Sequence, residues 1–139
     1  MWEAGETVEV GPFQLSREDI VRYAGASGDF NPIHYDQERA RSFGLPGVIA
    51  HGMLSMGVLA RVLGEAAPPG SQLERYGVRF RAMVEPHDLL RATIRVVSVG
   101  EDGKASLDLA LTHADGRTAL SGTAVLRFRD ATMTGSNRR

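Results

Sequence analysis

The chain has 139 residues, of which 42% are hydrophobic and 24% charged, and its formal net charge is -1. This length predicts one domain with one core, and the small charge gives no global attraction to nucleic acid or an anionic membrane. Cysteine is absent, which excludes disulfides, thiolate metal sites and a cysteine nucleophile. Neither a run of the ~20 apolar residues of a membrane span nor a signal-peptide pattern is present, so we expect a cytoplasmic enzyme or binding domain.

The first part of the chain predicts one edge strand and two short helices. Weakly alternating apolar residues predict the strand within the first fifteen residues. Ser16 and Asp19 form a capping box for the first helix, which we expect to end at Gly25 and Gly28. Asp36 is the expected N-cap of the second helix, over the sequence QERARSF.

The third helical segment, HGMLSMGVLARVLGEA, is apolar on almost every face. No charge occurs in it before Arg61. A helix that is apolar all round has to be buried on nearly all sides, and this one is too short to span a bilayer. The rest of the chain is therefore expected to wrap around it.

The second half of the chain predicts four antiparallel strands. The stretch RYGVRFRAMVE alternates between apolar and polar residues as far as Pro86, and DLLRATIRVVSV alternates in the same way. The turn sequences EDG and ADGR then delimit KASLDLALTH and TALSGTAVLRFRD as two further strands. A curved antiparallel sheet around one apolar helix is an α+β architecture. We place this domain in residues 1–130, followed by a frayed polar tail over residues 131–139.

The stretch SGDFNPIHYD places an acid, Asp29, five residues before an imidazole, His34. Pro32 fixes its own φ and biases Asn31 toward extended geometry, so the segment between the two is neither helical nor floppy. If the loop bends back, a carboxylate and an imidazole that share one water are suited to proton transfer. From the spacing alone, an ordinary turn with a surface histidine remains the alternative. No standard metal-ligand spacing is present, so no metal site is expected.

The dipeptide His51-Gly52 marks the start of the third helix. Amides at a helix N-terminus are unpaired and carry a partial positive charge, and a glycine lets a ligand oxygen approach closely. A carbonyl held at Gly52 would be polarised as in an oxyanion hole. The alternatives are that Gly52 is small only for packing, and that His51 is a core histidine that caps a backbone group.

Arginines recur in the predicted strands. Those that could line the outward faces of neighbouring strands are Arg75, Arg79, Arg81, Arg91 and Arg95. Such a patch would dock a phosphate-bearing carrier, either coenzyme A or an acidic acyl carrier protein. A solvated strand face is the alternative. The chain has neither a phosphate-binding loop nor a dinucleotide-binding fingerprint.

Taken together, the residues YAGASGDFNPIHYDQERARSFGLPGVIAHGML resemble the signature of the MaoC-like, or (R)-specific, enoyl hydratase family. The family pattern is a Gly/Ser-Asp-x-Asn-Pro-x-His segment followed by Ile-Ala-His-Gly-Met-Leu. The stretch YGVRFRAMV also resembles a family strand. Within the family, the chain is most similar to the catalytic subunits of mycobacterial-type fatty acid synthase II dehydratases.

The resemblance implies a hot-dog fold, in which a curved sheet wraps a central apolar helix and a short helical overhang carries the catalytic loop. It implies reversible addition of water to a trans-2-enoyl thioester of coenzyme A or acyl carrier protein, giving the (3R)-hydroxyacyl thioester, with no metal or redox cofactor. Asp29 and His34 match the family's catalytic pair. Gly52 matches the glycine whose amide binds the thioester carbonyl, and Asn31 matches an asparagine that shapes the loop. We expect Gly52, Asn31 and His51 to be the substrate-binding residues.

The chain departs from the family at one helical position. A serine that some hydratases place a few turns into the central helix corresponds here to Ala60, so the orientation of Asp29 falls to other groups, and Ser55 is a poor substitute on sequence alone.

The resemblance also bears on assembly and on competing functions. One unit of this fold leaves a sheet face and an acyl channel to be covered, so we expect a homodimer or a heterodimer with a homologous hot-dog subunit.

A thioesterase on the same fold and a non-catalytic acyl-binding subunit are the alternative functions. The intact pair of Asp29 and His34 argues against both.

Overall fold

The computed structural model describes residues 1–128, so the predicted frayed tail lies outside the described residues. The elements follow the predicted order of one strand, three helices and four strands. They are β1 (Thr7–Phe13), α1 (Arg17–Ser27), α2 (Gln37–Ser42), α3 (Gly52–Ala66), β2 (Gln72–Phe80), β3 (Leu90–Val99), β4 (Lys104–His113) and β5 (Thr118–Arg127). A 3₁₀ turn at Pro32–His34 lies between α1 and α2.

The five strands form one antiparallel sheet in the order β1-β3-β4-β5-β2. Alternation along β3 buries Leu90, Ala92, Ile94 and Val96 against α3, as the sequence predicts. The helix contributes four buried apolar residues to the same core, Val58, Leu59, Val62 and Leu63. Burial of such side chains is worth about 1.5–3 kcal/mol each, so the sheet holds α3 mainly through this one face.

The opposite face of α3 is open, and the prediction that the helix is buried on nearly all sides is wrong for the single chain. Met53, Gly57, Arg61 and Gly64 are exposed. The sequence misleads here because glycine and methionine count as apolar in the pattern, whereas the sheet covers only the stripe of branched residues. No helix within residues 1–128 combines the length and the hydrophobicity needed to cross a membrane.

Strand β2 is shorter than its alternating pattern predicts. It ends at Phe80, whose side chain is exposed, and residues 81–89 form a loop that leads to β3. The amides of Arg81 and Ala82 both donate to the Ala119 carbonyl, so the chain leaves the regular ladder at this point. Val84 is buried as predicted, but it belongs to this loop rather than to the strand.

The strand order separates the arginines that were expected to lie on neighbouring strands. Arg75 and Arg79 lie on β2, whereas Arg91 and Arg95 lie on β3. Strands β4 and β5 lie between them. The prediction of a single basic patch that includes all five arginines on neighbouring strands is therefore wrong.

Candidate active site

Helix α1 delivers the acidic residue of the site. The capping box is present: the Ser16 hydroxyl accepts from the Asp19 amide at 3.0 Å, and the Asp19 carboxylate accepts from the Ser16 amide at 2.9 Å. These bonds hold the pKa of Asp19 below its ordinary value. The helix continues through Gly25 and ends at Gly28, which has a φ of 77°. A left-handed residue at this position turns the chain out of the helix, directly before Asp29.

The segment after Asp29 is bent by its own side chains. The Asp29 Oδ1 atom accepts from the Asn31 amide at 3.3 Å, and Asn31 Oδ1 accepts from the Ile33 amide at 3.3 Å. Pro32 opens the 3₁₀ turn, within which the His34 amide donates to the Asn31 carbonyl at 3.0 Å. The loop therefore folds back on itself, and Asn31 shapes it through its amide oxygen.

This bend brings the acid and the imidazole to the same place. His34 Nε2 lies 3.9 Å from Asp29 Oδ2, and the imidazole is buried while the carboxylate is 53% exposed. The distance is too long for a direct hydrogen bond and is suited to a water that bridges the two groups. The other ring nitrogen, Nδ1, lies 2.7 Å from the Ile49 carbonyl. Because a carbonyl can only accept, Nδ1 carries the proton, and in a neutral ring Nε2 is a proton acceptor facing Asp29.

His51 lies behind this pair rather than in the open site. Its side chain is 2% exposed, and its ring stacks on that of His34 with centroids 3.7 Å apart. Nε2–H donates to the Asp29 carbonyl at 3.1 Å, and the edge of Tyr23 packs against the ring at 4.8 Å. Burial lowers the pKa of His51 below its usual value, so the ring favours the neutral form. Its Nδ1 atom is buried and has no partner within residues 1–128.

The three side chains Asp29, His34 and His51 lie within 4.8 Å of one another, but their geometry does not fit a chelated metal ion. The two imidazole planes differ by only 22° and are stacked. Imidazole binds metals through a lone pair in the ring plane, and lone pairs of stacked parallel rings do not converge on one point. His51 Nε2 also already donates to a backbone carbonyl.

The N-terminus of α3 directly follows His51, whose ring stacks on that of His34, and it supplies free amides. The Leu54 and Ser55 amides donate to the His51 carbonyl at 3.1 and 3.2 Å, whereas the amides of Gly52 and Met53 have no hydrogen bond within the described residues. A Cβ atom at Gly52 would lie 2.9 Å from the Phe80 ring. Only glycine therefore leaves room at this position while that ring stays in place.

A cavity of about 270 Å³ adjoins Gly52. Its lining is mainly apolar and includes Ile49, Gly52, Ser55, Phe80, Met83 and Val84. Ser55 is buried on the first turn of α3 and makes no hydrogen bond to Asp29 within residues 1–128. It does not replace the serine expected at the position of Ala60; the Asn31 amide contacts the Asp29 carboxylate instead.

Sequence reasoning missed the pair His113 and Asp88, which holds the wall of this cavity. His113 Nε2–H donates to the Met83 carbonyl at 3.1 Å, and Nδ1 lies 3.6 Å from the Asp88 carboxylate. Asp88 also accepts from the Glu85 amide at 2.8 Å. The signal was present in β4, where His113 continues an alternating series of buried apolar residues. A polar residue in such a series needs a partner inside the protein.

Comparison with known proteins finds similar proteins over most of the chain. The model of the MaoC like domain matches residues 3–115. A relative from Rhodospirillum rubrum, named (R)-specific enoyl-CoA hydratase, is 32% identical over 113 residues, which cover 81% of this chain and 78% of that protein.

Solved structures show the same fold. The (R)-hydratase of Aeromonas caviae involved in PHA biosynthesis superposes with a TM-score of 0.85 at 27% identity, over 92% of this chain and 98% of that one. A chain of the ChsH1-ChsH2 complex from Mycobacterium tuberculosis gives a TM-score of 0.81 at 21% identity, over 93% and 100% of the two chains. The hot-dog fold predicted from the resemblance is thereby confirmed. The narrower resemblance to the mycobacterial catalytic subunits stays a prediction.

Proposed function

The chain belongs to the MaoC-like domain family, and we propose that it is a hydro-lyase that adds water reversibly to trans-2-enoyl thioesters, giving (3R)-hydroxyacyl thioesters. The observation that carries this proposal is the 3.9 Å gap between His34 Nε2 and Asp29 Oδ2. Gly52, whose amide has no hydrogen bond within residues 1–128, directly follows His51, whose ring stacks on that of His34. A water and a thioester carbonyl are the two groups that such a site can hold together.

In the proposed hydration, one water lies between Asp29 and His34. His34 Nε2 accepts a proton from this water, because Nδ1 is already committed as a donor to the Ile49 carbonyl. Asp29 accepts a hydrogen bond from the O–H that the water keeps, and thereby orients the water oxygen toward C3 of the substrate. The C–O bond forms at C3 while the proton returns from Nε2 to C2, so the water is added across the double bond and both side chains recover their initial state.

The proposed task of Gly52 is to stabilise charge on the thioester oxygen. As the oxygen of the water attacks C3, electrons of the C2–C3 double bond move toward the thioester carbonyl, which becomes enolate-like. An amide at the N-terminus of α3 donates to this oxygen, aided by the partial positive charge of the helix end. Loss of one such donor typically costs about 10²–10³-fold in rate.

We assign supporting tasks to the other two residues that were expected to bind substrate. Asn31 holds the loop between the acid and the imidazole through its bond to the Ile33 amide. His51 is buried and donates to the Asp29 carbonyl, so it supports the pair from behind. Neither side chain has to touch the substrate in this proposal.

The experiment follows the loss of enoyl absorbance and the release of free thiol when the purified protein is incubated with crotonyl-CoA. We expect loss of the enoyl group without thiol release. Asp29→Asn and His34→Ala should each lower kcat/KM by about 10²–10⁴-fold. The matched exposed control is Asp102→Asn, which should stay within about twofold of the unmodified protein. Thiol release without hydration would contradict the proposal and indicate a thioesterase.

We also propose that the active form is a dimer, with a second copy or a homologous hot-dog subunit. Strand β2 is an edge of the sheet, so the backbone groups on its outer side have no strand partner within residues 1–128. Leu73 and Phe80 on this strand are exposed, and so is the neighbouring Met53 face of α3. The Mycobacterium tuberculosis structure with the same fold is a complex of two differently named chains, which supports such an arrangement.

A further inference from the structure

A second concave surface lies on the opposite face of the sheet, over β2, β5 and β4. This groove, of about 490 Å³, is lined by Gly77, Arg79, Arg81, Asp108, Ser121 and Thr123, and we call it the Arg79–Arg81 groove. Gly77 leaves its floor bare, because nothing lies within 4 Å of the place that a side chain would take. Nothing in the proposed chemistry of Asp29 and His34 uses this surface.

The groove carries cations that are not neutralised. Arg81 donates through Nε to the Ser121 hydroxyl at 3.1 Å, which fixes the guanidinium, and its terminal nitrogens have no partner among the described residues. Neither Arg79 nor Arg81 forms an ion pair within residues 1–128, whereas Arg117 is paired with Asp115. Two guanidinium groups beside the single carboxylate of Asp108 leave an excess of positive charge. Guanidinium groups with free donors bind phosphate oxygens well.

Arg81 connects this groove with the proposed active site. It lines the cavity next to Gly52 as well as the groove, and it directly follows Phe80, whose ring lies over Gly52. A thioester whose carbonyl is held at Gly52 has its acyl chain on one side and its carrier on the other. The carrier can therefore leave the site along Arg81 and reach the groove.

We propose that the Arg79–Arg81 groove binds the phosphate groups of coenzyme A when an enoyl-CoA occupies the active site. This inference rests on the proposed hydratase function and adds to it the residues that select the carrier. The size of the groove falls within the ~300–1,000 Å³ of small-molecule sites. An acidic carrier protein would instead need a broad basic surface. Of the other three arginines, Arg75 lies on β2 outside the lining of the groove, and Arg91 and Arg95 lie beyond β4 and β5.

The test compares two substrates that share the reacting group and differ in phosphate. Crotonyl-CoA carries phosphates, and S-crotonyl-N-acetylcysteamine has the same thioester without them. For each variant, the ratio of kcat/KM for crotonyl-CoA to that for the phosphate-free thioester is measured. We expect this ratio to fall about tenfold or more in Arg79→Gln and in Arg81→Gln, since one charged hydrogen bond is worth about a factor of ten. Arg79→Lys should recover part of the loss.

Matched controls are Arg91→Gln and Arg95→Gln, exposed arginines of the same sheet face, which should leave the ratio unchanged. Isothermal titration with coenzyme A alone should show the same order of affinities among the variants. An unchanged ratio in both groove variants overturns the inference while leaving the hydratase function intact. Inactivity of the unmodified protein on both thioesters overturns the hydratase function and, with it, this inference. If Arg79→Gln lowers kcat/KM for crotonyl carrier protein but not for crotonyl-CoA, the inference is also overturned.

Discussion

Among the individual residues, the two histidines of the site differ in what surrounds them. His34 keeps one ring nitrogen open toward Asp29, whereas His51 has its Nε2 bonded to a backbone carbonyl and its ring enclosed by Tyr23 and His34. Burial lowers the pKa of His51. A neutral ring under His34 avoids placing a second positive charge 3.7 Å from an imidazole that has to accept a proton.

The lowered pKa of His51 predicts a stability that depends on pH. The unfolded chain binds a proton at His51 near pH ~6.5, but the folded chain resists that proton. The free energy of unfolding should therefore decrease as pH falls from about 7.5 through 6.5, and level off only below the folded pKa. His51→Phe keeps a ring in the stack and removes the titration, so urea denaturation should show a smaller decrease between about pH 7.5 and 5.5. His87→Gln, at an exposed histidine, should show the same decrease as the unmodified protein.

Gly52 is the second residue whose identity has a sharp consequence. Gly52→Ala places a methyl group against the Phe80 ring and moves either the ring or the helix start. Because small displacements of reacting groups are costly, we expect kcat/KM for crotonyl-CoA to fall about 10²-fold. Gly25→Ala is the matched control, within helix α1, since nothing lies within 4 Å of its added methyl group. It should leave activity unchanged and raise the free energy of unfolding by roughly 0.5–1 kcal/mol.

Among the secondary-structure elements and their connections, the loop over residues 81–89 positions the site although it contains no reacting group. Its Val84 carbonyl accepts from the Ala50 amide at 2.7 Å, directly before the start of α3. Its Met83 carbonyl is held by His113 at the end of β4. An irregular segment keeps one conformation only if such backbone groups are bonded, so β4 fixes the cavity wall through one imidazole.

Removal of the His113 imidazole should lower both the free energy of unfolding and kcat/KM. His113→Leu leaves the Met83 carbonyl without its donor, which is expected to lower the free energy of unfolding by about 1–3 kcal/mol. His113→Gln can still donate to that carbonyl and should recover part of the loss. Both values are measured by urea denaturation, with kcat/KM for crotonyl-CoA measured in parallel. Equal stability of the Leu and Gln variants would show that the hydrogen bond is not what holds the loop.

In the molecule as a whole, the single chain leaves two neighbouring surfaces uncovered. The edge strand β2 has outer backbone groups without a strand partner within residues 1–128, and α3 exposes the face that carries Met53 and Gly57. Exposed edges with apolar side chains tend to pair with another chain. Both surfaces lie close to Gly52, so the proposed dimer would complete the walls of the site.

The dimer proposal predicts a mass of twice one chain in light scattering after size exclusion at micromolar concentration. Leu73→Lys places a charge on the exposed end of β2, where pairing would bury it, and should shift the mass toward that of one chain. Val97→Lys is the matched control, since Val97 is similarly exposed but lies on β3. A one-chain mass for the unmodified protein would rule out the homodimer and direct the search to a homologous subunit.

Features that depend on near neighbours in the chain could be predicted from the sequence. The capping box at Ser16 and the turn at Asn31-Pro32 are satisfied by groups a few residues apart, and the alternation along β3 follows from the two-residue period of a strand. Such interactions follow from local backbone geometry, which short patterns describe well. The family signature is also confined to short segments, and it is sufficient to single out Asp29 and His34 as the candidate pair.

How these pieces meet depends on the tertiary structure. The open nitrogen of His34 depends on the Ile49 carbonyl 15 positions away, and the Asp29 carbonyl is held by His51 22 positions away. The strand order that separates Arg79 from Arg91, and the loop that ends β2 at Phe80, depend on which strands pair. Pairing and packing are set by the burial of the whole core, to which distant segments contribute together. No short pattern contains that information, and for this reason the site's composition was predictable and its geometry was not.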